Sequence, residues 1–271
     1  MIEVISSSGW ATQGFPVATP ALEQFGLKFS TGGAHLSRTM MLAELESVLL
    51  AVPSGSVAGE YRDAILLRNV LAKETESTRQ KSLRHLRELY ALDESVSVFA
   101  LLRKLMAFHP ASLPLLALQV AWARDPLFRA TTAPILKASE GDRVDTAGLA
   151  QSVATVFPKH YSEVSRDNIA RNAASSWTQS GHLAGRARKI RSRVKPTAVA
   201  VTLALLLGNV AGFHGPVIFS NPWCRLLDLT ADQARTRARE AHRAGLLNLR
   251  AVGEVVELNF PLFAGLLPEL P

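Results

Sequence analysis

The chain has 271 residues and a net charge of +7, from 30 lysines and arginines against 23 acidic residues. Its content of 48 % hydrophobic residues is enough for a packed core and excludes a globally disordered protein. A single cysteine, Cys224, excludes an internal disulfide framework and a cysteine zinc cluster, and it fits a reducing, cytoplasmic setting.

The N-terminal quarter begins with a stretch that has no lasting hydrophobic period. Residues 1–26 are rich in Ser, Gly, Pro and Thr, and they are predicted to form an extended or partly ordered arm. A short strand and turn are predicted at 27–33. The spacing of apolar residues then predicts helices over about 34–52 and about 59–72.

A third helix is predicted to begin at Ser77, where Ser77 and Gln80 have the spacing of a capping box. Its apolar residues share one face, and Arg79, Lys81 and Arg84 leave by other faces. These elements form a predicted N-terminal helical domain of helix-turn-helix type, residues 27–95.

The central region, residues 96–195, begins with the most apolar part of the chain. Two or three buried helices are predicted over 95–138, with breaks at Pro110, at Pro114 and at Asp125-Pro126. After a loop at 140–145, a helix is predicted over 146–157. A further helix opens at Ser165, carries Arg166 and Arg171, and ends at Gly181.

The positive charge of the chain is concentrated at the end of this region. Residues 186–195, here called the basic segment, contain six basic residues and no acidic one, and the rest of the chain has a net charge of only +1. Clustered cations favour an anionic partner, although a solvated loop is the alternative. The basic residues of the segment are Arg186, Arg188, Lys189, Arg191, Arg193 and Lys195.

The C-terminal region, residues 196–271, begins with an apolar run over 197–211. A membrane span needs about 20 apolar residues, and the run continues into Asn209, Gly212 and Pro216, which suit a helix in lipid poorly. A buried core helix is therefore predicted, and no membrane association.

A second capping box, Thr230 with Gln233, opens the last predicted helix, which carries Arg235 and Arg237 and stops before Gly245. The hydrophobic period then changes to two, which predicts strands over 246–250 and 254–260.

The helices that open at Ser77, Ser165 and Thr230 share one pattern: a capped helix with arginines in its first turns, preceded by another helix. The second and third are followed by glycine and a possible β-ribbon, which is the order of a winged helix-turn-helix. A capped helix with surface arginines is also typical of a solvated face. The predicted fold class is mainly α, multi-helical, with winged helix-turn-helix elements and short β-hairpin wings.

Residues for catalysis or metal binding are not indicated by spacing. No two of the seven histidines lie within one helical turn, and there is no G-x-S-x-G elbow. The turn before Ala34 lacks the lysine of a phosphate-binding loop. We therefore expect no catalytic residues, no metal, no cofactor and no enzymatic activity.

Short segments in a fixed order give the chain a resemblance to a known family. The segments are Thr31-Gly-Gly33, Asn69-Val-Leu71 with Ser77-Thr-Arg79, Ala123-Arg-Asp-Pro-Leu127, Ser176-Trp177 with Gly181-His-Leu183, Phe219-Ser-Asn-Pro-Trp223, Ala244-Gly-Leu-Leu247 and Gly253-Glu-Val-Val-Glu-Leu258. Together, over about residues 27–260, the chain resembles the BrxA family of BREX bacteriophage-exclusion systems.

This resemblance implies a mainly helical, non-enzymatic protein that binds double-stranded DNA beside other BREX components. Two alternatives remain open at this point: a protein-interaction scaffold within the defence complex, and an RNA-binding, antitermination-like protein. We expect duplex binding to weaken steeply with salt. Changing Arg188, Arg191 and Arg193 together to Glu is expected to abolish binding and leave thermal stability nearly intact.

Overall fold

The computed structural model describes residues 15–252 and 255–268. It is mainly helical, as predicted, and thirteen α-helices and two small antiparallel sheets lie within those ranges. Most of the predicted arm, residues 1–14, lies outside the described residues.

The N-terminal region is more broken than its hydrophobic period suggests. The helix predicted over 34–52 is a short 3-10 turn, Ala34–Leu36, followed by Met41 in the left-handed region (φ 52°) and then a regular helix. The strand predicted at 27–33 is absent from these described residues, and part of the arm is helical, with Leu22 and Phe25 buried. The helices are α1 (Pro20–Phe25), α2 (Leu42–Ala51), α3 (Ala58–Leu66) and α4 (Glu76–Tyr90).

Two predicted helix starts are displaced toward the N-terminus. The side chain of Thr75, not Ser77, accepts the capping hydrogen bond of α4, from the Thr78 amide at 3.2 Å. Ser162, not Ser165, caps the helix that follows, with 3.2 Å between its Oγ and the Ser165 amide. Each pair of hydroxyl residues lies within one turn, so the sequence pattern fits either position.

The centre of the molecule is a group of packed helices. Breaks occur at Pro110 and at Asp125-Pro126 as predicted. Pro114, in contrast, lies in the first turn of a helix, where backbone N–H groups have no partner within the helix and the missing N–H of proline costs nothing. The helices are α5 (Ser97–Phe108), α6 (Leu113–Arg124), α7 (Pro126–Ala130) and α8 (Thr132–Lys137).

A compact unit of two helices and three short strands follows, in the order strand, helix, helix, strand, strand. The predicted loop at 140–145 contains the first strand, which pairs with the third, so the sheet has the order β1-β3-β2 and is antiparallel. The elements are β1 (Arg143–Val144), α9 (Thr146–Val156), α10 (Glu163–Gln179), β2 (Leu183–Ala184) and β3 (Lys189–Arg191).

The C-terminal region matches its prediction closely. The capping box of Thr230 and Gln233 is present, Gly245 has a φ of 72°, and the two predicted strands form a hairpin. The elements are α11 (Ala198–Val210), α12 (Pro222–Leu226), α13 (Ala231–Arg243), β4 (Asn248–Val252) and β5 (Val255–Asn259).

The apolar helix α11 is a core helix, as predicted. It is 13 residues long, nearly all of its residues are buried, and it packs on α5, α6 and α13. Among the described residues, no helix has both the length and the apolar character that crossing a membrane requires.

One large hydrophobic cluster extends from Leu22 to Phe263, so the three regions predicted from the sequence pack on a shared core. Within it, Trp122 and Trp223 meet edge to face with ring centroids 5.5 Å apart. Burial of this size supplies most of the folding free energy.

Four buried arginines satisfy carbonyl groups at the ends of helices. Arg103 donates to Leu49 and Val52 at the end of α2, at 2.6 and 2.7 Å. The last carbonyls of a helix have no partner within it, so a guanidinium is well suited to them. In the same way, Arg124 donates to the end of α4, Arg129 to the end of α6 and Arg191 to the end of α8.

Candidate nucleic-acid interface

The basic segment forms part of the β2–β3 hairpin, which is the ribbon expected after α10. Its tip, residues 185–188, turns tightly: a Cβ on Gly185 would lie 2.2 Å from the Arg188 carbonyl oxygen, so only glycine fits. Arg186 and Arg188 are exposed at this tip. The hairpin therefore presents two guanidinium groups to solvent at its outermost point.

Lys189 fixes this hairpin to α10. Its Nζ donates to the Thr178 hydroxyl at 2.9 Å and to the Gly185 carbonyl at 2.8 Å. Partial burial lowers the pKa of Lys189. The ammonium group thus bridges the tip of the hairpin and the last turn of α10, and it holds the two elements at one surface.

Arg191 is not available to a partner, which corrects the prediction that it contacts nucleic acid. Its side chain is buried and forms a charged pair with Asp228, and its Nε donates to the Ile135 carbonyl at 2.8 Å. Because the side chain of Asp228 is 2 % exposed, loss of Arg191 would leave a buried carboxylate without its main partner. The triple change to Glu at Arg188, Arg191 and Arg193 is therefore expected to unfold the chain, contrary to the prediction from sequence.

The end of the basic segment returns to the surface. Arg193 is 51 % exposed with its Nη1 3.7 Å from Asp228 Oδ1, and Lys195 is exposed. Of the six basic residues, four are exposed, Lys189 is half-buried and Arg191 is buried. This segment is the densest group of exposed cations that the sequence analysis identified.

Helix α10 lies beside the hairpin and carries both predicted arginines. Arg171 is exposed and donates to the Asn168 side-chain oxygen, whereas Arg166 is half-buried. Two acidic residues, Glu163 and Asp167, balance the two arginines, so the helix has no net charge. It contributes shape and polar groups to this surface rather than net positive charge.

The inner face of α10 is held by a buried polar network. His35 Nε2 lies 2.8 Å from Ser176 Oγ, and His35 Nδ1 lies 2.7 Å from Asp125 Oδ2. Burial works against ionisation of Asp125, but the bonds from His35 and the Phe128 amide outweigh it and lower the pKa of this carboxyl. Gly33 is required here, because a Cβ on it would lie 2.1 Å from Asp125 Oδ1.

This Ser-His-Asp arrangement has the connectivity of a hydrolase triad, yet all three residues are buried. Ser176 Oγ also accepts the Met40 amide at 2.8 Å and lies 2.9 Å from the Asn172 carbonyl oxygen. The hydroxyl is thus surrounded by protein partners. We interpret the network as the anchor that fixes α10 to α7 and to the turn at Ala34–Leu36.

Helix α4 presents a second, smaller group of basic residues. Lys81 and Arg84 are exposed as predicted, whereas Arg79 is half-buried and its Nε is buried without a hydrogen-bond partner. Arg84 lies 3.2 Å from His85 Nε2, and burial together with this guanidinium lowers the pKa of His85. The helix therefore offers two exposed cations, fewer than the hairpin.

Helix α13 places its arginines differently from the prediction. Arg235 lies over the Phe219 ring at 5.2 Å, and Arg237 pairs with Glu240 at 2.8 Å, so both are engaged and half-buried. The exposed arginines of this helix are Arg239 and Arg243, which the sequence analysis missed. Their spacing of four, opposite buried Ala234, Ala238 and Ala241, is the signal that identifies them.

Two further exposed cations, one on β1 and one in the turn between α9 and α10, were not predicted from the sequence. Arg143 lies on β1 and pairs in register with Ile190 of β3. Lys159 is exposed in the turn between α9 and α10, with a φ of 61°. Arg143 stands in a two-residue strand and Lys159 in a turn, so neither belongs to a cluster of basic residues that the sequence pattern could reveal.

Other parts of the molecule give weaker indications of a site. An open cavity of about 1110 Å³ lies between residues 54–59, where α3 begins, and the 3-10 helix Pro261–Leu266. Of its two carboxylates, Glu94 already accepts hydrogen bonds from Tyr61 at 2.6 Å and from the Gly55 amide, and Asp93 accepts from Ser95. In the part of the chain that the structure describes, no three His, Cys, Asp or Glu side chains are grouped to hold a metal ion.

Comparisons with known proteins do not assign the chain. No protein-family model matches it, and no curated protein matches it.

Proposed function

We propose that this chain is a non-enzymatic protein that binds double-stranded DNA through the α9–α10–β2–β3 unit, a winged helix-turn-helix in which the β2–β3 hairpin is the wing. The observation that carries the proposal is the exposed cation group of the hairpin, held against α10 by Lys189. In this type of unit the second helix enters the major groove and the neighbouring elements contact the backbone.

The distribution of charge supports this assignment. Arg186, Arg188, Arg193 and Lys195 are exposed within ten residues, and like charges so close together repel one another unless an anion lies between them. Phosphate contacts of this kind supply most of the affinity for DNA and release counterions on binding. Duplex binding by this surface should therefore be strong at low salt.

The test is fluorescence anisotropy with a labelled duplex over a series of salt concentrations. Arg186→Gln with Arg188→Gln is expected to weaken binding and to reduce the slope of log Kd against log salt by about one for each phosphate that the protein no longer neutralises. The matched control is Arg62→Gln with Arg68→Gln, which removes the same charge from the exposed side of α3 and the residues after it. The control should bind as the unchanged chain does.

Two results would contradict the proposal. Equal decreases in affinity for the variant and its control would mean that general charge, not this hairpin, drives the interaction. No duplex binding at low salt would favour the protein-interaction scaffold, in which the hairpin meets an acidic partner. Competition with an RNA of equal length separates DNA binding from an RNA-binding, antitermination-like role.

The likeness to the BrxA family extends the proposal to a role in BREX-type phage defence, together with other components of such a system. Its support is the order of short segments along the chain, including Phe219-Ser-Asn-Pro-Trp223 and Ala244-Gly-Leu-Leu247. Deleting the gene in its host and measuring phage plating efficiency tests this part. Unchanged plating over a broad phage panel would contradict it and leave DNA binding standing.

A further inference from the structure

We propose that a phosphate monoester binds where α4 meets the turn after the 3-10 helix Ala34–Leu36, with Ser37, Arg38 and Arg84 as its hydrogen-bond donors. This surface, called the α4 site below, is formed by other elements than the β2–β3 hairpin. The inference does not rest on duplex binding.

The first observation is that two donors converge on one imidazole nitrogen. The Ser37 hydroxyl lies 3.4 Å from Nε2 of the buried His85, across 48 positions of the sequence, and Arg84 Nη2 lies 3.2 Å from the same atom. A guanidinium only donates, so Nε2 is the acceptor and its single lone pair is shared between both groups. Both distances are at or above the upper end of the usual range, so each donor has capacity for a better acceptor.

The second observation is the unused capacity of two guanidinium groups. Arg38 is half-buried and donates to the Ser37 carbonyl at 3.0 Å, and the described residues give Arg84 one hydrogen bond, to His85. Within the described part of the chain, neither arginine forms a salt bridge. A guanidinium has five N–H donors in a flat fork that matches two oxygens of one anion. Most of the donors of both arginines are therefore open to a ligand.

The third observation is an excess of positive charge. Lys81 is exposed on the same side of α4, one turn before Arg84 and His85, and adds a third cation. The carboxylate of the α4 site is Glu88, whose Oε2 lies 3.5 Å from His85 Nδ1, at the ring nitrogen away from the two donors. The pKa of His85 is lowered by burial first and then by Arg84 and Arg38, against the opposing effect of Glu88. The site thus carries more positive than negative charge.

The fourth observation is that the turn and the helix are fixed to each other. The Tyr90 hydroxyl, at the end of α4, donates to the Met40 carbonyl at 2.5 Å, and the Met40 amide donates to Ser176 Oγ at 2.8 Å. Within the turn, the Arg38 amide donates to the Ala34 carbonyl at 2.8 Å. Donors that are held in place before binding lose little entropy when the ligand arrives.

These features select the ligand by its charge and its oxygens. A phosphate monoester carries about two negative charges near neutral pH and three strong acceptor oxygens. It therefore balances the excess charge of the α4 site and accepts from the Ser37 hydroxyl and from both guanidinium groups together. A diester of a nucleic-acid backbone and a carboxylate each carry one negative charge and match the site less well. Monoesters occur as free nucleotides and as 5′-terminal phosphates of nucleic acids.

The experiment follows the histidine signals of the full chain by NMR during titration with inorganic phosphate, at fixed pH and ionic strength. His85→Gln assigns the signal of His85. Phosphate should shift this signal to saturation, whereas acetate, a monoanion, should leave it nearly unchanged. Arg38→Gln should raise the Kd for phosphate roughly tenfold, because a charge-assisted hydrogen bond is lost. Arg84→Gln, at an exposed position, should do the same, and Ser37→Ala should have a smaller effect.

Arg68→Gln is the matched control, because Arg68 is also exposed and lies just after α3, and it should keep the Kd of the unchanged chain. Thermal melting by circular dichroism checks that each variant is folded, and Arg84→Gln carries the test if Arg38→Gln is not. No saturable shift of the His85 signal, an equal shift with acetate, or an unchanged Kd in the folded variants overturns the inference.

Two further arms identify the source of the monoester. Titration with AMP tests a free nucleotide, and anisotropy with a 5′-phosphorylated duplex against its 5′-hydroxyl form tests a nucleic-acid end. The gain from the phosphate in either arm should be lost in Arg38→Gln. Binding of the 5′-hydroxyl duplex reports on the proposed function alone, so failure of the two proposals is distinguishable.

Discussion

The two helix-and-hairpin units of this chain place their charges on opposite elements. In the unit of α10 and β2–β3, the helix is neutral and the hairpin with its flanking residues carries six cations and no acidic residue. In the unit of α13 and β4–β5, the helix carries four arginines against two acidic residues, and Arg250 is outnumbered by Glu254 and Glu257 in the hairpin sequence.

The two hairpins also differ in how they are attached. The first is held by charged side chains, Arg191 and Lys189, whereas the second has the longer ladder, with five residue pairs in register from Asn248 opposite Asn259. A ladder of that length needs fewer side-chain anchors. The same order of elements therefore gives a charged, side-chain-anchored hairpin in one place and a largely backbone-paired one in the other.

The strongest test of this difference removes the anchor of the first hairpin. Arg191→Met should lower the free energy of unfolding by about 3 to 5 kcal/mol, because the buried Asp228 loses its main partner. Urea unfolding followed by circular dichroism measures it. The matched change in the second hairpin, Arg250→Met, is at an exposed position opposite Glu257 and should cost less than about 1 kcal/mol. Similar destabilisation of both variants would mean that the two hairpins are attached in the same way.

The second test uses pH. Burial lowers the pKa of His182, which follows α10, to about 4, against the attractions of Asp228 and the Leu226 carbonyl. Between pH 6.5 and about 4 the unfolded chain binds a proton at this site that the folded chain does not, so stability falls as the pH falls through this window. The contribution is roughly 3 kcal/mol over the whole window.

His182→Gln removes this titration and should flatten the dependence of unfolding free energy on pH by that amount. The neutral ring accepts from Ser180 at Nδ1, at 2.9 Å, and donates to the Leu226 carbonyl at 2.8 Å, and glutamine offers both kinds of group. The unchanged chain, measured in the same series of buffers, is the control. An unchanged slope in His182→Gln would exclude this residue as the source.

The smallest expected effect compares the two helix caps. Thr230→Ala should cost about 1 kcal/mol, because it removes the 3.3 Å bond to the Gln233 amide and disrupts a reciprocal box. Ser162→Ala, which removes the 3.2 Å bond from the Ser165 amide and an exposed 3.0 Å bond with the Ser165 hydroxyl but breaks no reciprocal box, should cost a few tenths less. Thr236→Ala, exposed on α13, is the control for helix propensity. A larger destabilisation by Ser162→Ala than by Thr230→Ala would reverse the expected order.

Local signals in the sequence were sufficient to predict the order of elements in both units. Gly181 and Gly245 have positive φ values at the helix ends where they were expected, and the change of hydrophobic period predicted β4 and β5. Both features depend on neighbouring residues only. Helix caps were less certain, because Thr75 and Ser77, like Ser162 and Ser165, offer equivalent hydroxyls within one turn.

Burial of a charged residue could not be predicted, because it depends on partners distant in the sequence. In the sequence, Arg191 has the same kind of basic and polar neighbours as the exposed residues Arg188 and Arg193. Its partner Asp228 lies 37 positions later. The network that anchors α10 joins His35 to Asp125 across 90 positions and to Ser176 across 141. Only the packed structure brings such residues together.

The four buried arginines donate hydrogen bonds to carbonyl groups at the C-terminal ends of helices α2, α4, α6 and α8. This has a consequence for arginine-to-lysine exchange. Exchanging every arginine for lysine would leave the formal net charge of the chain unchanged, yet an ammonium group cannot reach two helix carbonyls in the forked geometry of Arg103 or Arg124. A variant of the same net charge would therefore lose the buried hydrogen bonds that hold these helix ends in the core. Some of the basic side chains of this molecule thus serve to hold helices together. The number of basic residues in the sequence is therefore larger than the number that an anion can contact.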